Sequence, residues 1–258
     1  MINQTQFNNK KILITGSTSG LGESCAKYFS NLGSHILICG TNNKKIKEIK
    51  KKLNNENNNL YFCKDLNKKN NVEELISLVI NKKYFDIIIH CMGGGFSLRD
   101  PLINSNDIEK LFRLNLSVSI EINSKIINKL LQKKHACNII HIGSTASSSA
   151  IGSVGYNTVK ASLAAYVRSI GREFASTNIK INAILPGAFY AHNNSWDRLL
   201  KKNKTIVKKF IKEKQPRNKI GNVNELMPTI ALLASEENTM MRGSCVPIDG
   251  GESLNYDG

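Results

Sequence analysis

The sequence predicts an α/β protein built on a single doubly wound parallel sheet of about seven strands flanked by helices. Three observations predict it. Short apolar runs alternate with longer amphipathic ones along the chain. The short runs are apolar almost throughout, as strands covered on both faces must be. A glycine-rich turn joins the first short run to the first long one. No repeat or linker divides the chain, so residues 1–258 read as one domain.

In chain order, the strands are expected at Lys11–Thr15, 35–39, Leu60–Cys63, 86–90, 138–142, 180–185 and 244–248. Helices are expected at 21–32, 44–53, 72–80, 106–133, 157–175 and 225–234. Such alternation implies right-handed crossovers between parallel strands. The segment 188–217 interrupts it. There Trp196, Leu199, Leu200, Ile206, Val207, Phe210 and Ile211 recur at helical spacing, with lysines between them. It reads as a helical lid that covers a substrate, or else as a packing helix with a solvated basic face.

Net charge is +16, from 36 Lys and Arg against 20 Asp and Glu. Lys and Asn are over-used generally, as in 42–59 and 201–214, so a solvated surface accounts for the charge. An anionic substrate or an acidic carrier protein also fits it. No nucleic-acid motif accompanies the charge, and nucleic acid is not expected as a partner. No run approaches the roughly 20 apolar residues that cross a bilayer, so no membrane association is expected. Residues 1–10 are polar and unlike a secretory leader, which predicts a cytoplasmic protein. Cys25, Cys39, Cys63, Cys91, Cys137 and Cys245 include no Cys-x-x-Cys pair, which reads as reduced, mostly buried thiols and no metal.

The turn Thr15-Gly16-Ser17-Thr18-Ser19-Gly20-Leu21-Gly22 opens the first helix. Glycines let backbone N–H groups approach a pyrophosphate, which the positive end of the helix dipole favours. The spacing Thr-Gly-x-x-x-Gly-x-Gly resembles that of the short-chain dehydrogenase/reductase family, whose fold is Rossmann-like. Asp65-Leu66, Pro186-Gly187 and Asp249-Gly250-Gly251 resemble further family landmarks, in the family's order and across almost the whole chain. The resemblance implies a nicotinamide dinucleotide held by Gly16 to Gly22, Gly40, Thr41, Asn42, Asp65, Leu66, Gly93, Pro186 and Gly187. The second strand ends Cys39-Gly40-Thr41-Asn42 without the acid that would repel a 2′-phosphate. NADP(H) is therefore favoured over NAD(H), although Thr41 and Ser19 stand where NADP-using relatives often carry a basic residue.

Tyr156 and Lys160, four apart, share one face of a helix and match the family's Tyr-x-x-x-Lys motif. A free phenol titrates near 10, and a neighbouring ammonium lowers it, making tyrosine a workable acid–base. The resemblance gives both a second role, on the cofactor ribose. Ser144 resembles the serine that binds the substrate oxygen, though it lies twelve residues before Tyr156 rather than thirteen. A one-residue deletion in the following loop explains this, with Thr145 and Ser147 as fallbacks. Asn115 resembles the helix asparagine that holds a water linking the lysine to solvent.

Two departures stand out. His90-Cys91-Met92-Gly93 replaces the family's Asn-Asn-Ala-Gly, and Ala191 replaces the hydroxyl residue after the Pro-Gly turn, leaving backbone groups or Asn193 to orient the carboxamide. Tyr190, His192 and Trp196 are candidate substrate contacts. The expected activity is hydride transfer between a nicotinamide cofactor and a ketone or secondary alcohol, in a homodimer or homotetramer. A 3-oxoacyl-carrier-protein reductase and a keto-sugar reductase are both compatible. The competing class is a non-catalytic dinucleotide-binding sensor or scaffold.

Overall fold

The computed structural model describes residues 3–254 apart from Asn55 and Tyr84. Residues 1–2 and 255–258, the ends of the expected domain, lie outside the described residues. The strands are β1 (Lys11–Thr15), β2 (His35–Gly40), β3 (Leu60–Cys63), β4 (Ile87–His90), β5 (Cys137–Ile142), β6 (Ile179–Pro186), β7 (Phe189–Tyr190), β8 (Gly221–Asn222) and β9 (Cys245–Ile248). Seven of them form one parallel sheet in the order β3-β2-β1-β4-β5-β6-β9, as the apolar runs predict. The short strands β7 and β8 pair separately.

Alternation explains why the strands carry apolar residues on both faces. Ile12 and Ile14 of β1, with Ile36 and Ile38 of β2, bury against α1 (Gly20–Asn31) through Cys25, Ala26 and Phe29. Leu13, Leu37, Ile88 and Ile139 point the other way. They meet Val72, Leu75 and Val79 of α3 (Lys69–Lys82) and Ile122, Ile126 and Leu130 of α5 (Val118–Lys133). Between α1 and α3 lies α2 (Asn43–Lys50), capped by Asn42, whose side chain accepts from Lys45 N at 3.2 Å.

The single helix expected over 106–133 is instead two α-helices joined by a π-helical turn. α4 (Ser105–Phe112) passes into the π segment Arg113–Ser117 and then into α5. Periodicity hides such a turn, because a π bulge adds one residue without breaking the backbone helix. α6 (Val154–Glu173) follows β5 and begins earlier than the expected residue 157.

In the segment 188–217, one periodic run divides into α7 (Ser195–Lys202) and α8 (Lys204–Lys214). Asn203 is extended and breaks them, and its side chain caps α8 by accepting from Ile206 N at 3.1 Å. These helices share an apolar cluster in which Ala188, Val207 and Ile220 are buried, with Trp196 against Phe210 at 4.3 Å. The last helix, α9 (Met227–Ala234), starts later than the expected residue 225, after a 3-10 turn at Val223–Leu226 capped by Asn222. Strand order reverses between β1 and β4. In open sheets of this kind the crevice at that switch point, beyond the carboxyl ends of the strands, is where ligands bind.

Candidate functional site

The turn after β1 is shaped by two left-handed glycines, Gly16 at φ 64° and Gly20 at φ 58°. A Cβ on Gly22 would collide with the Gly16 carbonyl, so the helix packs directly on the turn. Ser17 ties the turn to β2: its Oγ donates to Ile14 O at 2.8 Å and accepts from Cys39 N at 2.8 Å. Thr18 lies against Gly40, where any Cβ would collide with it. Ser19 N-caps α1 with no side-chain capping bond, and Leu21 is buried. This cradle of backbone amides at a helix N-terminus fits the pyrophosphate of a dinucleotide.

At the second strand's end, Thr41 and Asn42 are exposed with Lys44, and Asn42 is committed to capping α2. Asp65 also makes a local cap, with Oδ1 accepting from Asn67 N at 3.0 Å, while Leu66 is buried. Gly93 brings two other elements together. A Cβ there would lie 3.0 Å from Asn115 Oδ1 and 3.2 Å from Lys160 Nζ. Asn115, buried within the π segment, accepts from Gly94 N at 3.1 Å and donates to Gly94 O at 3.0 Å and to Leu111 O at 2.9 Å. The π turn therefore holds the loop after β4 in place.

Ser144, two residues beyond β5, lies close enough to the Tyr156 phenol to lower its pKa. Its Oγ also accepts from Ala146 N at 3.1 Å. Of the two fallbacks, Thr145 donates to Pro186 O at 3.4 Å, and Ser147 Oγ is buried without a partner. Ser144 is thus the serine that meets the tyrosine, in spite of its twelve-residue spacing. Lys160 is 3% exposed, and its Nζ donates to Ile142 O at 3.1 Å and lies 5.7 Å from the centre of the Tyr156 ring. Burial lowers the Lys160 pKa to about 8. Burial raises the Tyr156 pKa and outweighs the lowering from Ser144. That corrects the expected sign: with the ammonium bonded to a carbonyl and set off from the ring, its pull on the phenol does not offset desolvation.

Pro186 ends β6, and Gly187 N donates to Ile248 O at 3.1 Å. Sequence reasoning missed Glu252, whose Oε2 accepts from Ala188 N at 2.6 Å and Gln215 Nε2 at 2.7 Å, bracing the Pro-Gly turn from the chain's end. It also missed Glu23. This buried carboxylate on α1 accepts from Lys27 at 2.6 Å and His192 Nδ1 at 2.8 Å, with Lys52 at 3.3 Å. Burial pushes its pKa up, but these hydrogen bonds outweigh it and leave the carboxyl at about 2. His192 also accepts from Gly20 N through its backbone oxygen at 2.8 Å. Its ring is therefore tied to α1 through Nδ1, while most of the side chain stays exposed. Tyr190 pairs with Asn222 in the β7–β8 ladder, Trp196 packs inside the segment, and Asn193 takes a left-handed turn at φ 60°. Ala191 is buried. Glu23 and Glu252 carry no motif; only their spatial partners reveal them.

Its interaction with the neighbouring Cys25 thiol, and then burial, hold Cys91 as a neutral thiol, with its pKa well above the ordinary value. The described cysteines are all free. No group of three or more potential metal ligands occurs among the described residues, and no helix among them is long and apolar enough to cross a membrane.

Comparison with known proteins agrees with this geometry. The short chain dehydrogenase family model matches residues 10–199. The 3-oxoacyl-(acyl-carrier-protein) reductases of Rickettsia felis and Rickettsia typhi are 29% and 30% identical, over 95% of this chain and 97% of theirs. In fold, L-sorbose reductase from Gluconobacter frateurii, solved with NADPH and L-sorbose, superposes with a TM-score of 0.87 at 23% identity, over 98% of this chain and 99% of that one. A glycine cradle at the switch point, a tyrosine and lysine four apart beside it and a match over most of the chain agree. The protein belongs to the short chain dehydrogenase family, as a nicotinamide-dependent oxidoreductase of carbonyl and alcohol groups.

Proposed function

We propose that the protein uses NADPH to reduce the 3-oxo group of an acyl thioester presented on an acidic carrier, with Tyr156 as the proton donor. The meeting of Ser144, Tyr156 and Lys160 beside the glycine cradle is the observation that carries the reaction. The bound nicotinamide supplies the hydride. Tyr156 donates its phenolic proton to the carbonyl oxygen as charge develops there, and Ser144 donates a hydrogen bond to the same oxygen. Lys160 would hold the cofactor ribose, anchored beside the phenol by its hydrogen bond to the Ile142 carbonyl. Asn115 fixes Gly94, and hence the approach of Gly93 to Lys160, and the family's water relay to the lysine falls to it.

The preference for NADPH rests on a β2 end with no carboxylate and with Lys44 and Lys45 at the N-terminus of α2. Residues 188–217 act as the lid of a single domain: their loop is clasped to α1 by His192 and braced from behind by Glu252. The carrier-linked substrate is supported by near-full-length similarity to two carrier-protein reductases and by a net charge of +16. We place the enzyme in the cytoplasm, in keeping with its similarity to the carrier-protein reductases, as a homodimer or homotetramer built on its long helices α5 and α6.

The test is NADPH oxidation with a 3-oxoacyl carrier protein, its coenzyme A thioester and a keto-sugar. The reading requires kcat/KM to be highest for the carrier-linked substrate and to fall with added salt, as electrostatic docking must. Preference for the keto-sugar replaces the substrate class. Tight cofactor binding with no turnover on any carbonyl leaves a sensor.

A further inference from the structure

Beside Asn115 lies a small cavity of about 10 Å³, lined by Thr15, His90, Met92, Asn115, Ser119 and His141 among others. Thr15, His90 and His141 stand abreast, paired in register across β1, β4 and β5. All three are at most 4% exposed. Strand alternation turns them to the side that Leu13, Ile88 and Ile139 bury against α3 and α5. Three of their polar atoms have no hydrogen-bond partner: Thr15 Oγ1, His90 Nδ1 and His141 Nδ1. A buried polar atom left unpaired is destabilising. The row therefore calls for a partner.

Asn123 of α5 determines which. Its Oδ1 lies 2.9 Å from His90 Nε2, and its Nδ2 lies 3.1 Å from both His141 Nε2 and Tyr166 Oη. His90 consequently carries its proton on Nε2 and offers Nδ1 as an acceptor. His141 accepts at Nε2 and carries its proton on Nδ1. Turning the Asn123 amide over swaps both tautomers together, so the pair always presents one donor and one acceptor. The rings stack at 4.6 Å. Burial keeps both uncharged, lowering His90 to about 4 and His141 well below its ordinary value, with the Lys160 charge acting on His141 in the same direction.

We propose that Thr15, His90 and His141 bind one internal water, and that through it they position the Asn115 segment behind Lys160. A water donates and accepts at once, matching one donor, one acceptor and a hydroxyl. The cavity has the room that one water needs. Lys160 itself is not among the lining residues. It is faced by Tyr156 from its own helix, by Cys91 from the end of β4, by His141 from β5 and by the Asn115 amide beside Gly93. An uncharged, water-filled row brings no second cation to the ammonium. The same water bridges the sheet to the π turn that fixes Gly94.

The water stands by itself; its effect on turnover rests on the reductase reading above. A high-resolution crystal structure of the cofactor-bound enzyme is expected to show one water bonded to the three orphaned atoms. An empty cavity, or direct bonds among those atoms, overturns the site. Thr15→Val removes the hydroxyl at nearly constant volume, and Thr15→Ser restores it. For Thr15→Val, kcat is expected to fall about tenfold, with the cofactor KM within about twofold and the midpoint of the pH–rate profile displaced. Thr15→Ser should recover both kcat and midpoint. A Thr15→Val enzyme with native kcat and pH profile, or a loss that serine does not rescue, overturns the positioning role. If Thr15→Val does not fold, the wild-type electron density decides the site and the Thr15→Ser kinetics decide the role, native kcat and midpoint being required. Wild-type enzyme inert toward every carbonyl removes the reductase reading but leaves the water to be judged by its density.

Discussion

Lys160 Nζ donates a hydrogen bond to the carbonyl oxygen of Ile142 at 3.1 Å, anchoring the ammonium of α6 to the last residue of β5. The bond fixes the lysine beside the Tyr156 phenol.

Replacing Tyr156 with phenylalanine keeps the ring in its slot beside Gly95 and Gly152 but removes the transferable proton. Turnover should fall by about 10²–10⁴-fold, the range of general acid catalysis. The affinity for NADPH, read by nicotinamide fluorescence, should stay near the wild-type value. Undiminished turnover would reject Tyr156 as the acid.

A buried lysine with a pKa of about 8 is an electrostatic cost to folding. Its folded pKa lies below the unfolded one, so the unfolded chain binds the extra proton between about pH 8 and 10.5. The contribution of this group to stability therefore rises with pH across that window. Lys160→Met should abolish turnover yet raise the melting temperature at pH 7. The gain is on the order of 3 kcal/mol, less about 1 for the lost partner of the Ile142 carbonyl. A lower melting temperature would mean that the ammonium is better solvated than its burial implies.

Glu23 links α1 to the loop through His192, at 2.8 Å. Because its carboxyl is held down at about 2, its stabilising contribution is present above the unfolded value of 4.5 and is lost as the pH falls from there toward 2. Glu23→Gln should cost about 1–2 kcal/mol in urea unfolding at pH 7 and raise the KM for cofactor, since the loop beside Gly20 is released. The wild-type and variant stabilities should converge toward pH 2. A constant difference across that range would show that charge is not what holds the clasp.

Thr41 follows β2 directly, and on the proposed reading a carboxylate there would face the adenosine ribose. Thr41→Asp should cut kcat/KM for NADPH by at least about tenfold while sparing NADH, because a carboxylate repels a 2′-phosphate. Parallel steady-state kinetics with both cofactors measure it. An unchanged cofactor ratio would place the phosphate elsewhere.

Much of this protein is legible one dimension at a time. The seven apolar runs become the seven parallel strands because each residue of a doubly covered strand meets a core, so burial writes itself into consecutive letters. The glycine turn and the Tyr156–Lys160 pair are local for the same reason: a tight turn and one helical face are set within a few residues. Ser144 is a partial case. Its strand context points to it, while its approach to the Tyr156 phenol is set by the fold.

What the sequence by itself determined is thus the sheet, its alternating helices and the residue types at its carboxyl edge. Tertiary structure alone decided the π turn at Asn115, the Glu23–His192 clasp, the Glu252 brace and the row of Thr15, His90 and His141 beneath the lysine. The reason is physical. Hydrophobic periodicity reports how each residue faces its own neighbours, whereas a buried polar group is stabilised by partners tens to hundreds of residues away, and no local pattern records that pairing.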